Sequence, residues 1–245
     1  MSTIAPIKTQ CPSCDAPHSG RAVVCANLPR LPSARQAILE GRLNRQECSQ
    51  CGHHFEYRRT VAAVDFDRKL WIVAYTPEGE RHWRDCVSMT ERGFRRCMYI
   101  QAPPVIRNTA GDWTVRTVFG QGALREKLVV EEAGLSDVEV ETAKLALLAG
   151  RPEWSGASIR LLEVLDERLR WSVMPAADEP CLAETDRGLL KAPLPRGFLP
   201  GELGSDAFVD IRRFFVAAMP ADPTRYNLAG HDVPAGFPEL DPRYG

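Results

Sequence analysis

Two Cys-x-x-Cys pairs, Cys11 with Cys14 and Cys48 with Cys51, carry the strongest chemical signal in the chain. Thiolates are what tetrahedral zinc or iron takes as ligands. In such a turn both sulfurs face one ion at ~2.3 Å while neighbouring backbone N–H groups donate to them. Pro12 stiffens the first turn, and each pair is followed by a residue, Asp15 or Gly52, that tolerates the left-handed conformation these turns use. The gap of 33 residues between Cys14 and Cys48 exceeds the roughly 15–20 of a short four-cysteine module. Loop closure answers that objection, because each doubling of length costs only ~0.6 kcal/mol whereas structural zinc contributes ~10–16 kcal/mol in small peptides. The expected centre is one Zn2+ held by Cys11, Cys14, Cys48 and Cys51. Iron, a thiol redox pair and plain buried cysteines are the alternatives.

Four thiolates fill a tetrahedron, whereas catalytic zinc keeps a position open for water or substrate, so a structural role is expected. His18, His53 and His54 lie beside the pairs; they are read as neighbours that hydrogen-bond or face solvent, not as ligands. Redox use would call for a thiolate activated at a helix start in a thioredoxin-like setting, and neither pair has one.

The elements that must position these cysteines follow from hydrophobic period. GRAVVCANLP between the pairs has strand character, and a helix runs from about Pro32 to Glu40, closed by Gly41. HHFEYRRTVAAVDF is expected as one strand with Phe55, Tyr57 and Val61 on a common face. RKLWIVAYTP is expected as the next, after a turn at Asp65 and Asp67. A helix from about Gly79 turns Trp83, Val87, Phe94 and Met98 inward, with Gly93 as a weak point; QAPPVIRNTAGD reads as a loop and WTVRTVFG as a strand. Two helices follow, Gly122 to Glu132 and one opening at Ser136, where Ser136 and Glu139 have capping-box spacing. SIRLLEVLDERLRWSVMP reads as a hairpin turning at Asp166-Glu167, residues 175–204 as a proline- and glycine-rich stretch, and Ser205 to Met219 as a helix before an irregular tail.

At this point CPSC, AILEGRLN, ECSQCG and LWIVAYTP together resemble the CpXC proteins of bacteria and archaea, named for their paired motifs. VFGQGALREKLVVEEAGLSDVEVETAKLALL extends the similarity, which covers roughly residues 8–150. Family members often carry a Tyr-His-Asp-like stretch after the second pair; Ala63, Val64 and Asp65 stand there, so the histidine is missing. The resemblance implies a zinc-ribbon-like architecture and supplies no activity.

The expected fold class is α+β: a zinc-ribbon-like antiparallel β unit with an inserted helix, then helices, then a C-terminal hairpin plus helix. Its divisions are residues 1–78, 79–150 and 151–245. With 245 residues and 44% hydrophobic content the chain can bury a sizeable core. Eight cysteines suit a metal site plus scattered thiols in a reducing cytoplasm. Neither a secretory leader nor a run of ~18 apolar residues is apparent, so no membrane is expected as a partner.

No phosphate loop, nucleophile elbow or His-Glu-x-x-His helix is present. Glu78, Glu80 and His82 are read as solvated, and His231-Asp232 as part of a loop. Net charge is −1, yet residues 1–60 hold eight Arg and Lys against four acids. Arg42, Arg45, Arg58 and Arg59 would flank the cysteine turns with Tyr57 between them, which offers nucleic-acid binding as the alternative reading. The leading expectation is a non-catalytic interaction or scaffold protein with a protein partner; an enzyme is the least expected.

Overall fold

Alternating apolar positions build a five-stranded sheet in the computed structural model, which describes residues 2–154, 156–175, 179–192 and 207–209. Its strands are β1 (Thr3–Gln10), β2 (Pro17–Asn27), β5 (Val61–Asp65), β6 (Leu70–Tyr75) and β7 (Thr114–Phe119), in that spatial order. β1 and β2 form a hairpin and β5 and β6 another, but β2 pairs β5 in parallel, as β6 does β7. The sheet is therefore mixed, where an antiparallel unit was expected. Parallel neighbours need a crossover, and the chain supplies two. One is α1 (Pro32–Leu39) with the small ribbon β3 (Arg45–Glu47) and β4 (His54–Glu56). The other is α2 (Trp83–Arg95) with the short α3 (Pro104–Arg107).

Both faces of the sheet are covered along β5, β6 and β7, while β1 is mostly exposed. Val61 and Ala63 of β5, with Leu70, Ile72 and Ala74 of β6, join Ala34, Ala37 and Ile38 of α1 and Leu124 and Leu128 of α4 (Gln121–Glu132). The intervening residues Val64, Trp71 and Val115 face the other way, onto Phe94, Met98 and Trp113. This is the period-2 geometry of a strand buried on two sides. A second core joins α4 and α5 (Asp137–Gly150) to a three-stranded antiparallel sheet, β8 (Ser158–Val164), β9 (Arg168–Met174) and β10 (Cys181–Asp186), around the fully buried Trp171.

The α+β class, the strand through GRAVVCANLP, the helix at Pro32, the α4–α5 pair and the β8–β9 hairpin agree with the sequence. α1 closes through Gly41 at φ +65°, and Ser136 forms the capping box with Glu139. Four expectations are corrected. Residues 53–66 are not one strand: the chain leaves β4 at Glu56 and enters β5 at Val61, because Tyr57 turns into a separate small core with Ile7 and Ala22. α2 runs through Gly93 and continues as a π-helical turn, Arg96–Ile100, since buried Thr90 before the glycine and Phe94 and Met98 after it anchor both sides. The segment read as a loop contains α3, started by Pro104. The stretch from 175 to 204, read only as proline- and glycine-rich, contains β10, held at the sheet edge by pairing with β9.

Of the helix expected from Ser205, Ala207–Val209 are not helical and the rest, like the tail, lies outside the described residues. Among described residues no helix is long and apolar enough to cross a membrane.

Candidate metal centre

Each cysteine pair sits in a hairpin tip, the first between β1 and β2 and the second between β3 and β4. The two tips repeat one backbone plan. The Asp15 N–H donates to the Cys11 carbonyl at 2.9 Å and the Gly52 N–H to that of Cys48 at 2.8 Å. Cys11 N–H donates to the carbonyl of Ala16 and Cys48 N–H to that of His53, each at 2.9 Å. Asp15 and Gly52 have φ of 55° and 70°, the left-handed values that close such a turn.

Asn44 ties the second tip to the first hairpin. β2 pairs with β5 only at Cys25–Asn27, so Val23, which has Ile4 of β1 on one side, has no strand on the other. The Asn44 side chain stands in for one: Oδ1 accepts the Val23 N–H at 2.8 Å, and Nδ2 donates to the Val23 carbonyl at 3.0 Å. The Asn44 carbonyl in turn accepts the Tyr57 N–H at 3.0 Å. Beneath the tips Tyr57 packs with Ile7, Ala22 and Phe55, its hydroxyl so close to Gly20 that an added Cβ there would lie 2.3 Å away.

The consequence is convergence of four sulfurs. Cys11 and Cys51 lie 3.7 Å apart, as do Cys14 and Cys48, and all four Sγ atoms fall within 4.8 Å of one another. A tetrahedron with bonds of ~2.3 Å has edges of about 3.8 Å. The thiols differ electrostatically. N–H groups of Cys51 and Gln50 point at the Cys48 sulfur and, against burial, bring it down to about 7. Cys14 receives the Ala16 N–H, but the Cys51 sulfur, burial and the sulfurs of Cys11 and Cys48 push it up to about 12. A cation at the centre would remove this asymmetry, because a coordinating thiol is deprotonated outright.

The histidines stand apart from the cluster. His18 rests edge-on against Phe55 at 5.2 Å, and His53 and His54 are exposed. Arg42 pairs with Glu40 and Arg58 with Glu78, while Arg45 lies across the ribbon from Glu56 and Arg59 is exposed. Tyr57 is buried and offers no ring to a base. Asp65 forms the turn, its Oδ1 accepting N–H groups of Asp67 and Arg68, while Oδ2 meets Arg35 at 3.2 Å. Val64 packs beside Phe94 and Met98.

One charged assembly escaped the sequence reading. Lys144 on α5, with 0% of its side chain exposed, meets Glu126 at 2.9 Å and Glu141 at 2.8 Å. The second oxygen of Glu126 accepts the Leu161 N–H at 2.6 Å. Lys127 reaches Asp137 at 2.6 Å, and Arg116 reaches the other oxygen at 2.5 Å. Burial pushes Asp137 up, but Lys127 and Arg116 outweigh it and hold the carboxyl at about 2. A cavity of about 130 Å³ touches Arg116, Lys127 and Asp137; these groups are already paired with one another, so the assembly reads as a structural lattice. The available signal was charge inside an apolar run, Glu141 and Lys144 at i, i+3 within VEVETAKLALL.

Two hairpin tips facing each other across four sulfurs define a protein with a four-cysteine cluster compatible with one metal ion. The chain matches the family model described as CpXC protein over residues 9–144, and it belongs to that family. No curated protein and no solved structure matches it.

Proposed function

We propose that the chain is a non-catalytic interaction protein whose N-terminal half is fastened by one structural Zn2+ on Cys11, Cys14, Cys48 and Cys51. The carrying observation is the pair of 3.7 Å sulfur separations within a four-sulfur cluster, close to the ~3.8 Å edge of a zinc tetrathiolate. Such a set fills the coordination sphere and leaves no position for substrate, which supports a structural role. The metal would supply cross-linking of two hairpins distant in sequence. Tetrahedral sulfur ligation also suits iron, so the identity of the ion is part of the test.

Metal analysis of purified chain should give about one zinc per molecule, and Cys48→Ser should lose the metal and much of the stability of this half. Iron in place of zinc, or a chain that is metal-free and equally stable, overturns the reading. The nucleic-acid alternative loses support from the pairing of Arg42 and Arg58 with carboxylates.

A further inference from the structure

We propose that the junction of α2 and α3 is a docking surface for an acidic protein segment with apolar anchors. From Arg92 to Gly111 the sequence has four arginines and no acidic residue. All four, Arg92, Arg95, Arg96 and Arg107, are exposed, and among the described residues none forms an ion pair. This contrasts with Arg42 and Arg58, each of which has its own carboxylate.

Inside this arginine group lie three exposed apolar side chains: Val105 at 78%, Ile100 at 67% and Tyr99 at 42%. Arg92, Arg96 and Tyr99 recur at helical spacing and so share one side of the helix. Phe94 and Met98 share a buried core with Ile106 of α3, and Arg107 donates to the Ala102 carbonyl at 3.2 Å. These contacts fold α3 back against the π turn, so Val105 lies on an element packed against the one that carries Tyr99 and Ile100. Pro103 and Pro104 restrict the connection, so the surface is ordered before any partner arrives and little entropy is lost on binding.

Charge complementarity selects the occupant. A second copy of this chain would set four arginines against four arginines, which is repulsive. Every cation is arginine, the side chain whose planar fork grips carboxylates in pairs and which, with tyrosine, is enriched where proteins meet. A nucleic acid would leave Ile100 and Val105 unused and find one half-covered ring for stacking. An anionic bilayer rewards lysine as readily as arginine. The inference deepens the interaction reading and does not depend on the identity of the metal.

The test is selection of random peptides displayed on phage against the full chain, followed by affinity measurement on the enriched peptides. Wild type should enrich peptides with Asp or Glu flanking Leu, Ile or Phe, and binding should weaken at least tenfold in the Arg95→Glu/Arg96→Glu variant and in Ile100→Asp. These side chains are exposed, so thermal melts of the variants should match wild type. Failure to enrich any peptide overturns the proposal, as does enrichment without acidic bias. Binding that survives charge reversal overturns this surface while leaving the interaction reading in place. Phosphatidylserine vesicles and single-stranded DNA are run in parallel; tighter binding to either through the same residues also overturns it. Zinc content of the same preparations reports on the metal reading separately.

Discussion

Asn44 does at residue scale what no neighbouring strand does: its amide satisfies both backbone groups of Val23 while its own carbonyl receives Tyr57. Its φ of 57° is also one that asparagine tolerates better than most residues. Asn44→Ala should therefore cost roughly 1–3 kcal/mol, since a backbone donor and acceptor lose their partner together. Urea denaturation of the metal-loaded chain reads this directly, and a loss within about 0.5 kcal/mol of zero would show that water replaces the amide freely. The four-cysteine cluster was legible from residue types and spacing because a Cys-x-x-Cys turn is local. Asn44 was not, since its role depends on where β2 stops pairing with β5.

Between elements, the contact of α4 with α5 and of α4 with β8 contains charge where a core would normally be apolar. Lys144 is enclosed by Glu126 and Glu141, and Asp137 by Lys127 and Arg116. Breaking such a pair from one side is costly because it strands the other charge. The depressed Asp137 fixes the sign of an acid effect. Above its ordinary value of 3.8 the ionised carboxylate stabilises the folded chain; as pH falls through about 2 that contribution is lost. By linkage this amounts to about 2 kcal/mol. The difference in stability between wild type and Asp137→Asn should shrink over the window from about pH 4 to about pH 2. A difference independent of pH there would mean that Asp137 is not held ionised by its partners. The periodicity of α4 and α5 located both helices and the capping box. It did not show that Glu126, Glu141 and Lys144 face inward, because an amphipathic reading assigns charges to solvent.

On the scale of the molecule, the two largest cores of the described chain belong to different units: the five-stranded sheet with its cysteine tips, and the packing of α4 and α5 on the three-stranded sheet. A metal on the four cysteines would tie only the tips. Chelation should thus abolish hydrogen-exchange protection around residues 9–20 and 43–57 first, while α5 and β8–β9 stay protected. Simultaneous loss across the chain would show instead that the metal governs both cores.

The sequence by itself determined the local devices: the two cysteine turns with Asp15 and Gly52 behind them, the helix start at Pro32, the Ser136 cap and the hairpin at Asp166-Glu167. Each rests on residues within a few positions of one another, where backbone sterics and side-chain hydrogen bonds act without help. Only the tertiary structure decided the parallel pairings of β2 with β5 and β6 with β7, the buried Lys144 and the arginine surface at α2 and α3, which is unpaired among the described residues. These depend on which distant surfaces meet, and an arginine's worth to a partner depends on whether a carboxylate from elsewhere in the fold has already reached it.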